Sequence, residues 1–196
     1  MAADVYLYLY NGTTIVQGSC LDSVFVNAIQ LKTFSMEAEA SISTDLEDAK
    51  LLETRADMLE MPFSGEVADA EKPLDSFSID FTKEFDRSST ELFKNYACAA
   101  TQATTYFTKG EVYCRIAGPP LQPGMKPAQL CFLFYEFSNL YVYEYSLEAS
   151  GESSIPTETV KMYFDKYRIT YRQQLSSGKL GTPLALGWDF EKYAAY

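Results

Sequence analysis

Apolar residues recur at every second position along much of this chain. That is the period of strands whose side chains alternate between two faces. Val5–Tyr10 sets Val5, Leu7 and Leu9 against Tyr6, Tyr8 and Tyr10, so both of its faces are apolar. Asn11-Gly12 follows as a turn signal. A second strand region, Ser23–Ser35, carries Val24, Val26, Ile29, Leu31 and Phe34. Phe77, Ile79 and Phe81 then alternate with Ser78, Asp80 and Thr82. Two strands, Thr104–Thr108 and Glu111–Ala117, are expected around Lys109-Gly110, and a pair, Ala128–Tyr135 and Leu140–Leu147, around Ser138-Asn139. Thr157–Asp165 and Tyr167–Tyr171 alternate again.

The period shifts to that of a helix in two places. Ser88 and Glu91 have the spacing of a capping box, and Leu92 and Tyr96 fall on one face beside Phe93 and Ala97. A short helix is therefore predicted over about 88–100. Thr44 and Glu47 form a second capping box, and Leu46, Ala49, Leu52, Ala56 and Leu59 recur at helical spacing. Taken alone, Asp45–Glu60 reads as an amphipathic helix. Ser64–Pro73 and Glu148–Pro156 are polar and loop-like, and Gly118–Pro127, with four prolines and two glycines, reads as a loop. About eight or nine short strands with turn punctuation imply a sandwich or barrel. The helix should close one end of it or cover one edge.

A length of 196 residues suggests one domain over 1–196. The 15% aromatic share suits pleated sheets and argues against global disorder. The net charge of −11 changes the picture more through its location than its size. The span Glu37–Glu71 holds 11 acidic residues against Lys50 and Arg55, so the rest of the chain is nearly neutral. Such a chain repels phosphates, and no nucleic-acid partner is expected. The acidic span is either a solvated segment or a contact surface for a basic partner.

Catalytic chemistry is thin. There is no histidine, which removes Ser-His-Asp and Cys-His pairs and the commonest metal ligand. Cys20, Cys98, Cys114 and Cys131 show no metal-type or thioredoxin-like spacing and read as small buried hydrophobes. No phosphate loop or dinucleotide fingerprint occurs. Asp45-Leu46-Glu47-Asp48 lacks the spacing and central glycine of an EF-hand, and suits a helix N-terminus better. The 27 acids offer many carboxylate pairs, but nothing selects one. No catalytic role, cofactor or metal is therefore expected. The single Trp188, in Gly187-Trp188-Asp189, could anchor a ligand, but more often such a residue pins a terminal segment to the body or to a neighbouring subunit. MAADVYLYLYNG has no basic n-region, and nowhere are there 18 consecutive apolar residues. Neither a cleaved signal nor membrane insertion is expected.

Four passages resemble the Hcp family, the tube protein of bacterial type VI secretion systems. DVYLYLYNG resembles its opening strand. DFTKEFDRSSTELFKNYACAA resembles its strand–turn–helix, and PTETVKMYFDKYRITYRQQ its late strand pair. GTPLALGWDFEKYAAY resembles its C-terminal ending. The chain departs from the family in a longer, more acidic Glu37–Pro73 and in the proline-rich Gly118–Pro127.

The resemblance implies a mainly β fold: a small barrel of two packed antiparallel sheets, with one flanking helix and an extended acidic loop over about 37–73. It also implies hexameric rings that stack into a tube, driven out by a contractile sheath and tipped by a spike protein. Small effector proteins would travel in the lumen. The subunit would be made and assembled in the cytoplasm, then secreted. The family's segment corresponding to Ser43–Pro62 reaches over a neighbouring subunit, so Asp45, Glu47, Asp48, Lys50 and Arg55 are expected to make polar contacts between rings. Strands apolar on both faces agree with subunit interfaces. Other readings are a tail-tube protein of a phage or other contractile particle, and a β-sandwich whose exposed tyrosines bind a ligand. An enzyme fused to a tube domain is disfavoured, because the familiar features reach the C-terminus.

Overall fold

In a computed structural model the described residues are 3–39, 76–100, 105–120, 127–149, 151, 155–190, 192 and 194–196. One unit comprises Met1–Glu37 and Ser78–Tyr196. The other, Ala38–Phe77, contributes only two strand ends to the described residues.

Nine strands form one antiparallel sheet that closes on itself. They are β1 Asp4–Asn11, β2 Thr14–Ile15, β3 Ile29–Glu39, β4 Ser76–Glu84, β5 Phe107–Pro120, β6 Pro127–Glu148, β7 Thr157–Tyr171, β8 Leu184–Asp189 and β9 Ala194–Ala195. The order β4-β3-β1-β5-β6-β7 returns to β4, giving a closed six-stranded barrel, with β2, β8 and β9 outside it. Closure removes the open edges that a sheet of this size would otherwise present.

The barrel interior is the expected alternating set. Leu7, Leu9, Ile29, Ile79, Phe81, Val112, Leu140, Val160 and Met162 are almost fully buried. Why β1 is apolar on both faces is now clear. Leu7 and Leu9 face the barrel core, while Tyr6 and Tyr8 pack outside under a loop carrying Cys20, Phe25 and Ala28. The Phe25 ring stacks on Tyr6 at 4.5 Å.

The element boundaries differ from the sequence reading in an instructive way. Lys109-Gly110, Ser138-Asn139 and the break near Lys166 are not turns between short strands; they lie inside the long strands β5, β6 and β7. Lys109 faces Ser138, and Ser138 faces Lys166, so the three breaks form one row across the sheet. Near this row β7 changes partner, pairing with β4 up to Tyr163 and with β8 from Lys166. Asn139 adopts a positive φ of 53°, which Asn tolerates better than most residues, and its amide donates to Asp165 at 2.8 Å. Residues that would end a short strand thus let a long one change course.

Two further boundaries move. The strand expected over Ser23–Ser35 begins only at Ile29. Asn27, at φ 59°, turns the chain, and the region before it is the loop covering β1, which leaves Val24 and Val26 exposed. Of the expected loop Gly118–Pro127, Gly118–Pro120 belongs to β5 and Pro127 opens β6. Proline is tolerated at such strand ends, where a ladder donor is not needed.

Helix α1, Ser89–Ala100, is the one helix among the described residues, and it packs on β6. Its Asn95 Oδ1 accepts from the Val142 N–H at 3.3 Å, satisfying a backbone donor of β6. Leu92 is fully buried. That burial is worth roughly 1.5–3 kcal/mol, well above the few tenths expected of the exposed Lys94–Glu91 pair, so packing holds the helix in place.

Candidate interaction surface

The sequence that leads into α1 makes the most enclosed polar cluster of the described residues. Lys83 on β4 and Glu158 on β7 are direct cross-strand partners at the seam that closes the barrel, and both are fully buried. Lys83 Nζ lies 2.8 Å from Glu158 Oε2 and 2.8 Å from Asp86 Oδ1. It also donates to Ser89 Oγ at 3.1 Å and to the Glu84 carbonyl at 2.8 Å. The second oxygen of Glu158 accepts from the Tyr145 hydroxyl of β6 at 2.7 Å. Burial and the Glu158 carboxylate push the Tyr145 phenol up, so it stays a proton donor to that carboxylate.

Asp86 completes the cluster. Its Oδ1 accepts from the Ser88 N–H at 2.9 Å, while Ser89 Oγ accepts from the Asp86 N–H at 2.8 Å. The Asp86 carboxylate thus reaches forward two residues and Ser89 Oγ back three, so the turn entering the helix is capped from both sides. This cap forms two residues earlier than the expected Ser88–Glu91 pair, because Ser88 Oγ is already donating to Asp86 at 2.6 Å. The cap, the seam and the ion pair therefore share atoms. Lys83 has no exposure, so it is a fastening rather than a reactive amine.

A second clamp holds the loop over β1. Arg115 donates to Asp22 through two nitrogens, at 3.2 and 2.6 Å, and to Tyr6 Oη at 2.7 Å. Its guanidinium lies over the rings of Tyr6 and Phe25, 4.8 and 5.2 Å from their centroids. The Arg115 hydrogen bonds, helped by the Val24 and Phe25 N–H groups, hold the Asp22 carboxyl well below the usual carboxylate range. Burial pushes Tyr6 up to about 12.

Reaction chemistry has no comparable assembly among the described residues. Among the described residues no group of three or more His, Cys, Asp or Glu could hold a metal ion. Burial pushes the Cys114 thiol up to about 11 and also raises that of Cys131, leaving both as thiols at neutral pH. Two adjoining clefts of about 380 and 500 Å³ share Asn11, Glu91 and Lys94, where Lys94 pairs with Glu91 at 3.6 Å. Among the described residues no helix is long and apolar enough to cross a membrane.

Of the expected contact residues, Asp45, Glu47, Asp48, Lys50 and Arg55 lie outside the described residues. Trp188 is half-buried on β8, between Tyr167 of β7 and Ala195 of β9. Beside it Gly187 accepts the close approach of the Tyr196 ring, and Asp189 pairs with Lys166 at 2.9 Å. The Arg115–Asp22 clamp was missed in the sequence because 93 residues separate its partners. The Lys83–Glu158 pair spans 75 residues and carried no local signal beyond the Phe-Thr-Lys passage.

The described residues define a closed β-barrel with one capped helix, fastened by buried ion pairs and carrying exposed apolar side chains. The family model described as "Type VI secretion system effector, Hcp" matches residues 6–171, and the chain belongs to that family. No curated protein matches it. Among solved structures, one described as a type six secretion system protein is 21% identical, with a TM-score of 0.67 over 100% of both chains. Hcp1 from Salmonella typhimurium is also 21% identical, with a TM-score of 0.64 over 100% of both chains. Hcp3 from Pseudomonas aeruginosa is 11% identical at a TM-score of 0.53, covering 96% of this chain and 99% of that one. At these identities the likeness is one of fold.

Proposed function

We propose that this chain is a structural subunit of the type VI secretion inner tube. One tube domain over 1–196 would form hexameric rings that stack, are expelled by a contractile sheath behind a spike protein, and carry small effectors in the lumen. The subunit is made and assembled in the cytoplasm and then secreted. It needs no cofactor and catalyses no reaction. The observation that carries this reading is the family match across 6–171. It is supported by buried polar residues engaged in fastening the barrel and by apolar side chains left at its surface.

Asp45, Glu47, Asp48, Lys50 and Arg55 are proposed to make polar contacts between rings. Reversing the charge of Lys50 and Arg55 together should weaken tube formation, and unchanged tubes by electron microscopy would sink that role. For the subunit itself, negative-stain images of the purified protein should show sixfold rings with an open centre. Monodisperse monomers would overturn the reading.

A further inference from the structure

The β1–β2 hairpin leaves one strand edge open. The Val16 N–H donates to the Leu9 carbonyl at 2.8 Å, so Leu9 and Val16 are a hydrogen-bonded pair. Hydrogen-bonded and non-bonded pairs alternate along an antiparallel ladder, so Tyr10–Ile15, the next pair, is not bonded. The N–H and C=O of Ile15 therefore point away from β1. Those of Gln17, two residues on, point the same way. On that side β2 has no strand partner among the described residues, and neither backbone makes a hydrogen bond there.

A cleft of about 500 Å³ lies along this stretch, with residues 14–17 on one wall. Thr90, Glu91 and Lys94 of α1, and Arg87 just before it, form the other. Strand and helix are tied at one end: the Ser19 N–H donates to Asp86 Oδ2 at 3.1 Å, and the Arg87 N–H to Ser19 Oγ at 3.4 Å. At the other end the hairpin turn is held to β5, where Thr108 Oγ1 donates to the Tyr10 and Gly12 carbonyls at 3.1 and 3.3 Å. The groove is thus built before anything enters it, which lowers the ordering cost of binding.

The chemistry of the two walls selects an occupant. Ile15 and Gln17 each present a donor and an acceptor at the spacing of a strand ladder. A small anion would meet the donors alone, whereas an extended peptide meets both. On the helix wall Lys94 pairs with Glu91 at 3.6 Å, and the exposed Arg87 makes no ion pair among the described residues. The groove therefore carries a net positive charge, which an acidic side chain would complement.

We infer that this groove takes an extended acidic segment of another protein, added as a strand beside β2 with its carboxylates against Arg87 and Lys94. The inference goes beyond the tube-subunit reading and does not depend on it. A second copy offers no such segment among its described residues. Its barrel strands are closed on one another, and its open edge at 184–186 is Leu-Ala-Leu, without an acid.

The full chain is the material for the test, and the probe is a capped peptide of alternating Val and Glu. Binding should slow exchange of the Ile15 and Gln17 amides and leave β6 and β7 unchanged. N-methylation of the edge-facing amides of the peptide should abolish binding, since it removes the ladder donors and keeps the charge. Arg87→Glu with Lys94→Glu should weaken binding roughly tenfold or more and transfer preference to a peptide of alternating Val and Lys. Both positions are exposed, so unfolding of the variant should match that of the parent. Full binding of the N-methylated peptide, or no protection at Ile15 and Gln17, overturns the strand-addition contact. If those two amides are already protected in the parent, and lose that protection on dilution, a second copy fills the groove and the foreign partner is overturned. Rings seen by microscopy leave the tube reading standing in either case.

Discussion

Lys83 and Arg115 are both enclosed cations set against carboxylates, yet they fasten different things by different means. Lys83 meets Glu158 across a regular strand pair, with neither group exposed. Oxygens from four residues surround its ammonium. Arg115 reaches a loop carboxylate that is 23% exposed. Its Nε has no hydrogen-bond partner among the described residues, and aromatic faces cover the rest of the group. The first arrangement joins barrel seam to helix cap and tolerates little change. The second pins a surface loop whose far side displays Leu21 and Val24. A buried charge is costly in proportion to how completely it is cut off from water, so breaking the two should have unequal effects.

The largest effect is expected from Glu158→Ala. It strands Lys83 at the seam and should cost about 3–5 kcal/mol in urea unfolding. A loss below about 1 kcal/mol would mean that Asp86 alone compensates Lys83. Replacing both partners together, Lys83→Met with Glu158→Leu, should recover most of that loss, since no charge is then left buried.

Gly18→Ala comes next. A Cβ there runs into the Ala28 carbonyl, so the chain at Gly18 must part from Ala28 and the loop between them must shift. Amide exchange at residues 20–28 should rise sharply while α1 stays protected. Equal loosening of both regions would show that the clamp and the seam are one cooperative body.

Asp22→Asn should have a smaller effect, confined to the same loop. The pH dependence follows from the lowered Asp22 value. A carboxyl whose folded value lies below its unfolded one adds stability above the ordinary range near ~4, and that stability is lost as pH falls through the folded value. Loop protection should therefore survive mild acid and fade only in strong acid. The asparagine variant should not show that fading. The smallest change is expected from Arg115→Lys, which keeps the charge but loses the two-nitrogen grip. Tyrosine fluorescence near Tyr6 and Tyr113 should report it.

Local pattern carried much of this fold. The alternation of Phe77–Thr82, the Asn11-Gly12 turn and the helix at 88–100 needed only neighbouring residues, because strand period, turn geometry and capping act over a few positions. The same locality misled at Lys109-Gly110 and Ser138-Asn139, where turn-prone residues serve as bends within long strands. Local preference cannot tell a turn from a bend when cross-strand hydrogen bonds make the choice.

What the sequence by itself determined is the class of elements and, through four passages, the family. Only the tertiary structure decided which cation meets which carboxylate and which apolar residues stay uncovered. Glu158 meets Lys83, and Asp22 meets Arg115, because register and loop path bring together positions 75 and 93 residues apart. Leu186 and Leu7 lie in one cross-strand row, through Val112, Tyr135 and Ile169, yet one is exposed and the other is buried. The difference is set by whether the barrel closes over that end of the row, and closure is a property of the whole sheet, not of any one strand.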